Sequence, residues 1–248
     1  MSELSDQSDR CIAIIPARGG SKRIPKKNIK TFAGKPLISY SITEALNSGL
    51  FDRVIVSTDD PEIEKIAKAY GAEVPIMRPS TLADDHTGSG EAVNHMMEWL
   101  ESQGEDYNYY CTLYATAPLL QAKYLQRGLK ILKESDDAVS AISVTSMPFP
   151  VHRTFEITEE NRLKMFWPEH FSTRSQDLPE AYQDAGQFYW VDRQREMGNR
   201  DHYGFSQHII PVVLPRYRVQ DIDTPEDWKT AELMYKALQM ADDEKQNG

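Results

Sequence analysis

Cysteine is almost missing from this chain. Cys11 and Cys111 are the only two in 248 residues, too few and too far apart for a disulfide framework or a zinc knuckle. Each stands in an apolar stretch, where a free thiol acts as a small hydrophobe, so no disulfide is expected. The six histidines (His86, His95, His152, His170, His202 and His208) show no HExxH spacing. Any metal should therefore be a hard cation held by oxygen. No apolar run approaches the roughly eighteen residues of a membrane span. The opening MSELSDQSDR is polar and acidic rather than a basic and apolar leader, and reads as a disordered lead-in to a cytoplasmic protein. Positive charge is in deficit: 28 Lys and Arg against 38 Asp and Glu leave a net charge of -10, which repels nucleic acid and anionic membranes over most of the surface. There is no internal repeat and no low-complexity linker, and an α/β chain of this length is expected to form one domain over 1–248.

What is present is alternation. CIAII (11–15) is a continuous apolar run, as in a strand covered on both faces. A loop over 16–28 follows, then helical spacing over 36–46 with a stop at Asn47, Ser48 and Gly49. Strands are predicted at 53–58, 72–77, 109–114, 138–144, 186–191 and 208–214. Helices are predicted at 61–70, 90–102, 122–135 and from Pro225 to about Met240, with a frayed tail. Such alternation implies right-handed crossovers and a mostly parallel, Rossmann-like sheet flanked by helices. Between about 147 and 182 the periodicity fails and aromatics accumulate (Phe149, Phe155, Phe166, Trp167, Phe171). This segment reads as an inserted arm, whether a lid, a β-arm or a subunit contact.

Against the overall charge deficit, IIPARGGSKRIPKKN (14–28) stands out. Residues 18–30 hold six cations (Arg18, Lys22, Arg23, Lys26, Lys27, Lys30) and no acid. The loop after the first strand of an open parallel sheet is the usual anion site. Gly19 and Gly20 let backbone N–H groups approach a phosphate, while Arg18 and Lys22 can add charge-assisted bonds. A P-loop is excluded because the only Gly-Lys pair, Gly34-Lys35, precedes Pro36, and no GxGxxG occurs. A solvated basic turn is the plain alternative. A nucleic-acid patch is disfavoured by net charge and by the lack of interleaved aromatics.

PARGGSKRIPKKN (16–28), VIVSTDD (54–60), RPSTLADD (78–85), ATAPL (115–119), SQDLPEAY (175–182) and QDIDTPEDW (220–228) together resemble, in order, the CMP-sugar synthetases that activate nine-carbon sialic-type acids. YATAPL (114–119) and YQDAGQFYW (182–190) are most similar to the branch of that family taking pseudaminic acid. N-acetylneuraminic and legionaminic acids are the alternative acceptors. The resemblance implies a fold of the nucleotide-diphospho-sugar transferase type. It also implies attack of a sugar acid's anomeric hydroxyl on the α-phosphorus of CTP, Mg²⁺ dependence and a homodimer. A catalytically silent nucleotide-binding protein on the same fold is the reading from another class.

The same resemblance distributes roles. Arg18, Gly19, Gly20, Ser21, Lys22 and Asn28 would bind the nucleotide, as would Arg78 and Ser89 near base or ribose. Arg78 could instead be a surface ion pair and Ser89 a helix cap. Asp221 and Asp223, two apart on an extended segment, point to one face, as a hard Mg²⁺ ion requires, and the family uses these aspartates for metal. Thr224-Pro225-Glu226-Asp227 is by contrast a helix start. Asp59 and Asp60 are either nucleotide ligands or caps of the helix at Pro61. Gln187 and Phe188 fall where sialic acid synthetases contact sugar, although their pattern also fits a core strand. Arg174 would reach an anion across a dimer interface, but Ser175 stands where such synthetases often carry a second arginine. Tyr114 replaces their glutamine, which suggests a different acid.

Overall fold

The computed structural model describes residues 9–83, 87–198 and 207–246. Most of the lead-in, the end of RPSTLADD at Asp84 and Asp85, His86, His202 and the last two residues lie outside them. The strands are β1 (Cys11–Pro16), β2 (Thr31–Phe32), β3 (Lys35–Pro36), β4 (Arg53–Ser57), β5 (Tyr109–Leu113), β6 (Ser140–Ser146), β7 (Phe155–Ile157), β8 (Leu163–Met165), β9 (Tyr182–Asp192) and β10 (Ile209–Leu214). The α-helices are α1 (Leu37–Asn47), α2 (Pro61–Ala69), α3 (Ser89–Ser102), α4 (Ala122–Glu134), α5 (Arg193–Gly198) and α6 (Pro225–Gln246). Six strands form the main sheet in the order β10-β6-β9-β5-β1-β4. The sheet is parallel except for β9, which runs antiparallel to both β5 and β6.

The apolar run of β1 shows why the sheet is covered on two sides. Successive side chains of a strand point to opposite faces, and here Cys11, Ala13 and Ile15 enter one core with Ile38 and Ile42 of α1, Ile63 of α2 and Leu125 of α4. Ile12 and Ile14 enter another with Val93, Met96 and Leu100 of α3. Both cysteines are buried and free. A third, smaller cluster joins Ile24 of the cationic loop, Phe32 of β2 and Leu37 of α1 to Ile222, Trp228 and Ala231 around the start of α6. It pins two segments nearly two hundred residues apart.

Three predicted elements differ. AEVPIM (72–77) is not a strand: only Glu73 pairs, bridging Ile55, because Pro75 has no N–H to extend the ladder. The final helix continues past Met240 to Gln246, since DDEKQ contains no Gly or Pro to stop it. Strand β9 begins at Tyr182 rather than Gly186, within the segment read as an insertion. The rest of that segment is a small hairpin, β7–β8, with short 3₁₀ turns. Three-residue strands are too short to show periodicity. No helix among the described residues is long and apolar enough to cross a membrane.

Candidate active site

Helices that follow parallel strands begin at the sheet's carboxyl edge, where open α/β sheets bind ligands. Loop 17–30, the end of β4, the start of α3, Tyr114 and the first half of the reversed β9 all share that edge.

The loop after β1 is held from beneath by the end of β4. Ala17 N–H donates to the Ser57 carbonyl at 2.9 Å, and Gly19 N–H donates to Asp59 Oδ1 at 3.0 Å. Asp60 is the N-cap of α2, accepting from Glu62 N–H at 2.7 Å. A Cβ on Gly19 would lie 2.6 Å from Asp60 Oδ2 and 2.9 Å from Asp60 Cβ, whereas one on Gly20 would meet nothing within 4 Å. Gly19 is thus required by the floor of the loop, and Gly20 lies on its open side. Ser21 N–H turns back to the Gly19 carbonyl at 3.0 Å. Asn28 is buried and its Nδ2 donates to the Arg18 carbonyl at 2.9 Å, closing the loop across ten residues.

The cations divide their work. Lys26, at φ 52°, ion-pairs with Glu62 of α2, and Lys30 lies 4.5 Å from the centroid of the Trp228 ring. Lys27 donates to the Ile222 carbonyl at 2.6 Å and to Asp223 Oδ1 at 3.2 Å, while Arg23 reaches Asp223 Oδ2 at 2.9 Å. The loop therefore meets the acidic pair directly. Ile222 is fully buried between Asp221 and Asp223, so alternation turns its two neighbours away from the core. The Asp221 carboxyl is pushed above the ordinary range by burial first and by Asp223 next, with Lys27 opposing. Two carboxylates that repel in this way, both hard oxygen donors, suit a divalent cation such as Mg²⁺. No group of three or more His, Cys, Asp or Glu side chains able to hold a metal occurs among the described residues.

The helix-start reading of 224–227 holds beside this pair. Thr224 Oγ1 accepts from Asp227 N–H at 3.2 Å, and Asp227 Oδ2 accepts from Thr224 N–H at 2.7 Å and Asp223 N–H at 3.1 Å. This reciprocal cap uses the backbone of Asp223 and leaves its carboxylate to the loop. Thr224→Ala is expected to lower stability by about 1 kcal/mol, as for loss of an N-cap, a change readable in urea denaturation.

Arg78 is buried rather than paired at the surface. Its Nε donates to Ser57 Oγ at 3.2 Å, it bonds the Ser57 carbonyl through Nη2, and its backbone N–H donates to the Thr58 carbonyl at 2.8 Å. Burial lowers its pKa first; Asp59 opposes this and Arg18 adds to it. Arg78 is thus anchored on the end of β4 through Ser57 and Thr58. Ser89 is the first residue of α3, the cap position is Gly88, and no side-chain cap bond forms there.

The remaining candidates lie along β9 and the arm. Gln187 is buried; its Nε2 donates to the Arg218 carbonyl at 2.5 Å, and its Oε1 has no partner among the described residues. Tyr114 N–H donates to the Gln187 carbonyl at 2.9 Å. Phe188 is fully buried in the main core against Gly128 of α4, a placement that fits a core strand. Arg174 is exposed on the arm, in a two-pronged ion pair with Asp177 at 2.6 and 3.1 Å. Sequence reading missed the pairing of Arg23 and Lys27 with Asp223, because nothing local distinguishes Lys27 from Lys26.

This carboxyl-edge arrangement of phosphate-scale cations facing two carboxylates is that of a nucleotidyl-transfer fold. The chain aligns with a CMP:2-keto-3-deoxy-manno-octonic acid synthetase solved in complex with CTP at a TM-score of 0.67 and 18% identity, covering 92% of this chain and 99% of that one. The model of the cytidylyltransferase family matches residues 12–246, and the chain belongs to that family. A pseudaminic acid cytidylyltransferase of Campylobacter jejuni is 44% identical over 225 residues, 91% of this chain and 96% of the relative. A CMP-N,N'-diacetyllegionaminic acid synthase of Legionella pneumophila is 31% identical over 239 residues, 94% of this chain and 99% of the relative.

Proposed function

We propose that the chain transfers the cytidylyl group of CTP to pseudaminic acid. The anomeric hydroxyl oxygen of the acid bonds to the α-phosphorus, the bond from that phosphorus to the bridging oxygen breaks, the hydroxyl proton is lost, and pyrophosphate leaves. One observation carries the chemistry: the loop that can hold a triphosphate is joined to the acidic pair through Lys27 and Asp223. The acceptor follows the relative that shares 44% identity over nearly its whole length.

Such a transfer is driven by positioning and charge neutralisation more than by covalent help. Arg18 and Lys22, with the backbone of Gly20 on the loop's open side, bind phosphate oxygens, while Gly19 and Ser21, whose N–H groups bond Asp59 and the Gly19 carbonyl, and Asn28 hold the loop's shape around the nucleotide. Arg78 and Ser89 lie toward the nucleoside. Asp221 and Asp223 would hold Mg²⁺, which when bound supplies further positive charge to the phosphates. Lys27 and Arg23, which reach the Asp223 carboxylate, add positive charge beside the same phosphates.

Incubation with CTP, Mg²⁺ and each of pseudaminic, legionaminic and N-acetylneuraminic acids tests this reading. Pyrophosphate release should be fastest with pseudaminic acid. A folded preparation releasing none sinks the proposal, and a preference for another acid corrects the acceptor.

The arm at 147–182 supports a homodimer. Phe149, Ile157, Leu163 and Phe171 are each about 70% exposed or more, a concentration of apolar surface that a partner copy would cover. A monomer in solution at micromolar concentration would overturn this and leave Arg174 without a role across subunits. The proposed use of CTP supports a cytoplasmic site for the reaction.

A further inference from the structure

Strand β9 contains an irregularity that serves the acceptor side of the site. In a regular strand, residues five apart point to opposite faces and lie roughly 17 Å from each other. Yet Tyr189 OH donates a hydrogen bond to Asp184 Oδ2. The contact exists because the register of β9 against β6 shifts between Ile142 and Val144. The chain folds back through Gly186 at φ +59°, a backbone that favours glycine, and Ser143 Oγ accepts from Phe188 N–H at 3.0 Å across the gap. Bulges re-aim side chains and concentrate near active sites.

The re-aimed group is a carboxylate with a fixed orientation. Its Oδ1 accepts from Gly186 N–H at 2.8 Å and its Oδ2 from Tyr189, which leaves a further lone pair on each oxygen. Asp184 remains exposed while Tyr189 is half-buried. The Tyr189 ring meets Tyr114 edge to face at 5.5 Å, and Tyr114 directly follows the last residue of β5, at the edge that carries the cationic loop. Burial, then Asp184, pushes the Tyr189 hydroxyl well above its ordinary pKa, so it stays a donor at neutral pH.

We propose that Asp184, positioned by Tyr189 and Gly186, is a specificity-determining residue for the acceptor, accepting a hydrogen bond from an acylamino N–H or hydroxyl of the sugar acid. The proposal rests on the cytidylyltransferase reading above. Its logic is electrostatic: a fixed carboxylate repels the acid's own carboxylate and attracts its N–H and O–H donors, so it selects one orientation of an otherwise ambiguous polyhydroxy ligand. A charge-assisted bond of this kind corresponds to about a tenfold change in affinity or more.

Steady-state kinetics of Asp184→Asn and Tyr189→Phe, varying CTP and pseudaminic acid separately, test it. Asp184→Asn should raise the KM for the acid about tenfold or more with the KM for CTP within about twofold, and should narrow the preference over N-acetylneuraminic acid. Tyr189→Phe should shift the same constant less, since it frees rather than removes the carboxylate. An unchanged acid KM in Asp184→Asn overturns the proposal. So does an equal rise in both KM values with a lowered melting temperature, which marks the pair as bulge support only. If the wild type prefers another of the three acids, the function reading is corrected and the same split is expected with that acid. Wild type inactive with all three overturns both.

Discussion

Asp223→Asn should reduce kcat/KM for CTP by about 10²- to 10³-fold, the cost of losing one preorganised charged group at a phosphoryl-type centre, while the protein stays folded. The fold survives because Asp223 contributes only its backbone N–H to the cap of α6, at 3.1 Å from Asp227 Oδ2, and an asparagine retains that N–H. What is lost is the carboxylate that Lys27 and Arg23 reach, together with half of the oxygen donor pair proposed for Mg²⁺. The amide cannot supply the negative charge, so the Mg²⁺ concentration giving half-maximal rate should also rise. Pyrophosphate release titrated with Mg²⁺ at saturating CTP reads both effects. Turnover at the wild-type level with an unshifted titration would remove Asp223 from the metal role. Thr224→Ala separates the two functions of this segment, since it weakens the cap and leaves both carboxylates in place.

Gly19→Ala should destabilise the protein and raise the KM for CTP about tenfold, whereas Gly20→Ala should do neither and should raise stability slightly. Two opposing effects decide the sign. Replacing glycine by alanine stiffens the unfolded chain and stabilises by about 0.4–1 kcal/mol wherever the native backbone accepts it. Forcing a methyl into filled space costs about 1–3 kcal/mol. At Gly19 the new Cβ would sit 2.6 Å from Asp60 Oδ2 and 2.9 Å from its Cβ. Asp60 cannot retreat freely, because it caps α2 through Glu62 and Ile63, so the clash wins and the loop must lift off its floor. Lifting breaks the Gly19 N–H bond to Asp59 and displaces the backbone donors that would face the triphosphate. At Gly20 there is no atom within 4 Å, and only the entropic gain remains. Thermal melting of both variants beside CTP kinetics checks the contrast; equal melting temperatures would show that the loop does not rest on Asp60.

Much of this was legible in advance for identifiable reasons. Elements with strong periodicity, such as β1 and the helices from Leu37 and Ala122, sit within a residue or two of where their apolar spacing predicts them. The family was legible because six separated motifs occur in order. The elements that escaped are those whose pairing is non-local. Strand β9 is antiparallel in a parallel sheet, which its composition does not encode, and its bulge joins Asp184 to Tyr189 against strand periodicity. The glycine at 186 was the one local sign, since an isolated glycine in a strand pattern marks a bulge. The segment 72–77 looked like a strand until pairing failed at Pro75.

Residue order along the chain carries the covered, mostly parallel sheet, the cationic character of the loop at 16–28, the reciprocal cap at 224–227 and membership of the cytidylyltransferase family. All of these depend on local spacing or on ordered words along the chain. Folding sets which cations of the loop meet Asp223, which glycine has no room for a Cβ, and that Phe188 is buried in the core while Asp184 is exposed. Those outcomes depend on contacts between segments up to 196 residues apart. Such contacts form when the cluster of Ile24, Phe32, Ile222 and Trp228 closes, because burying that apolar surface brings the loop and the start of α6 together.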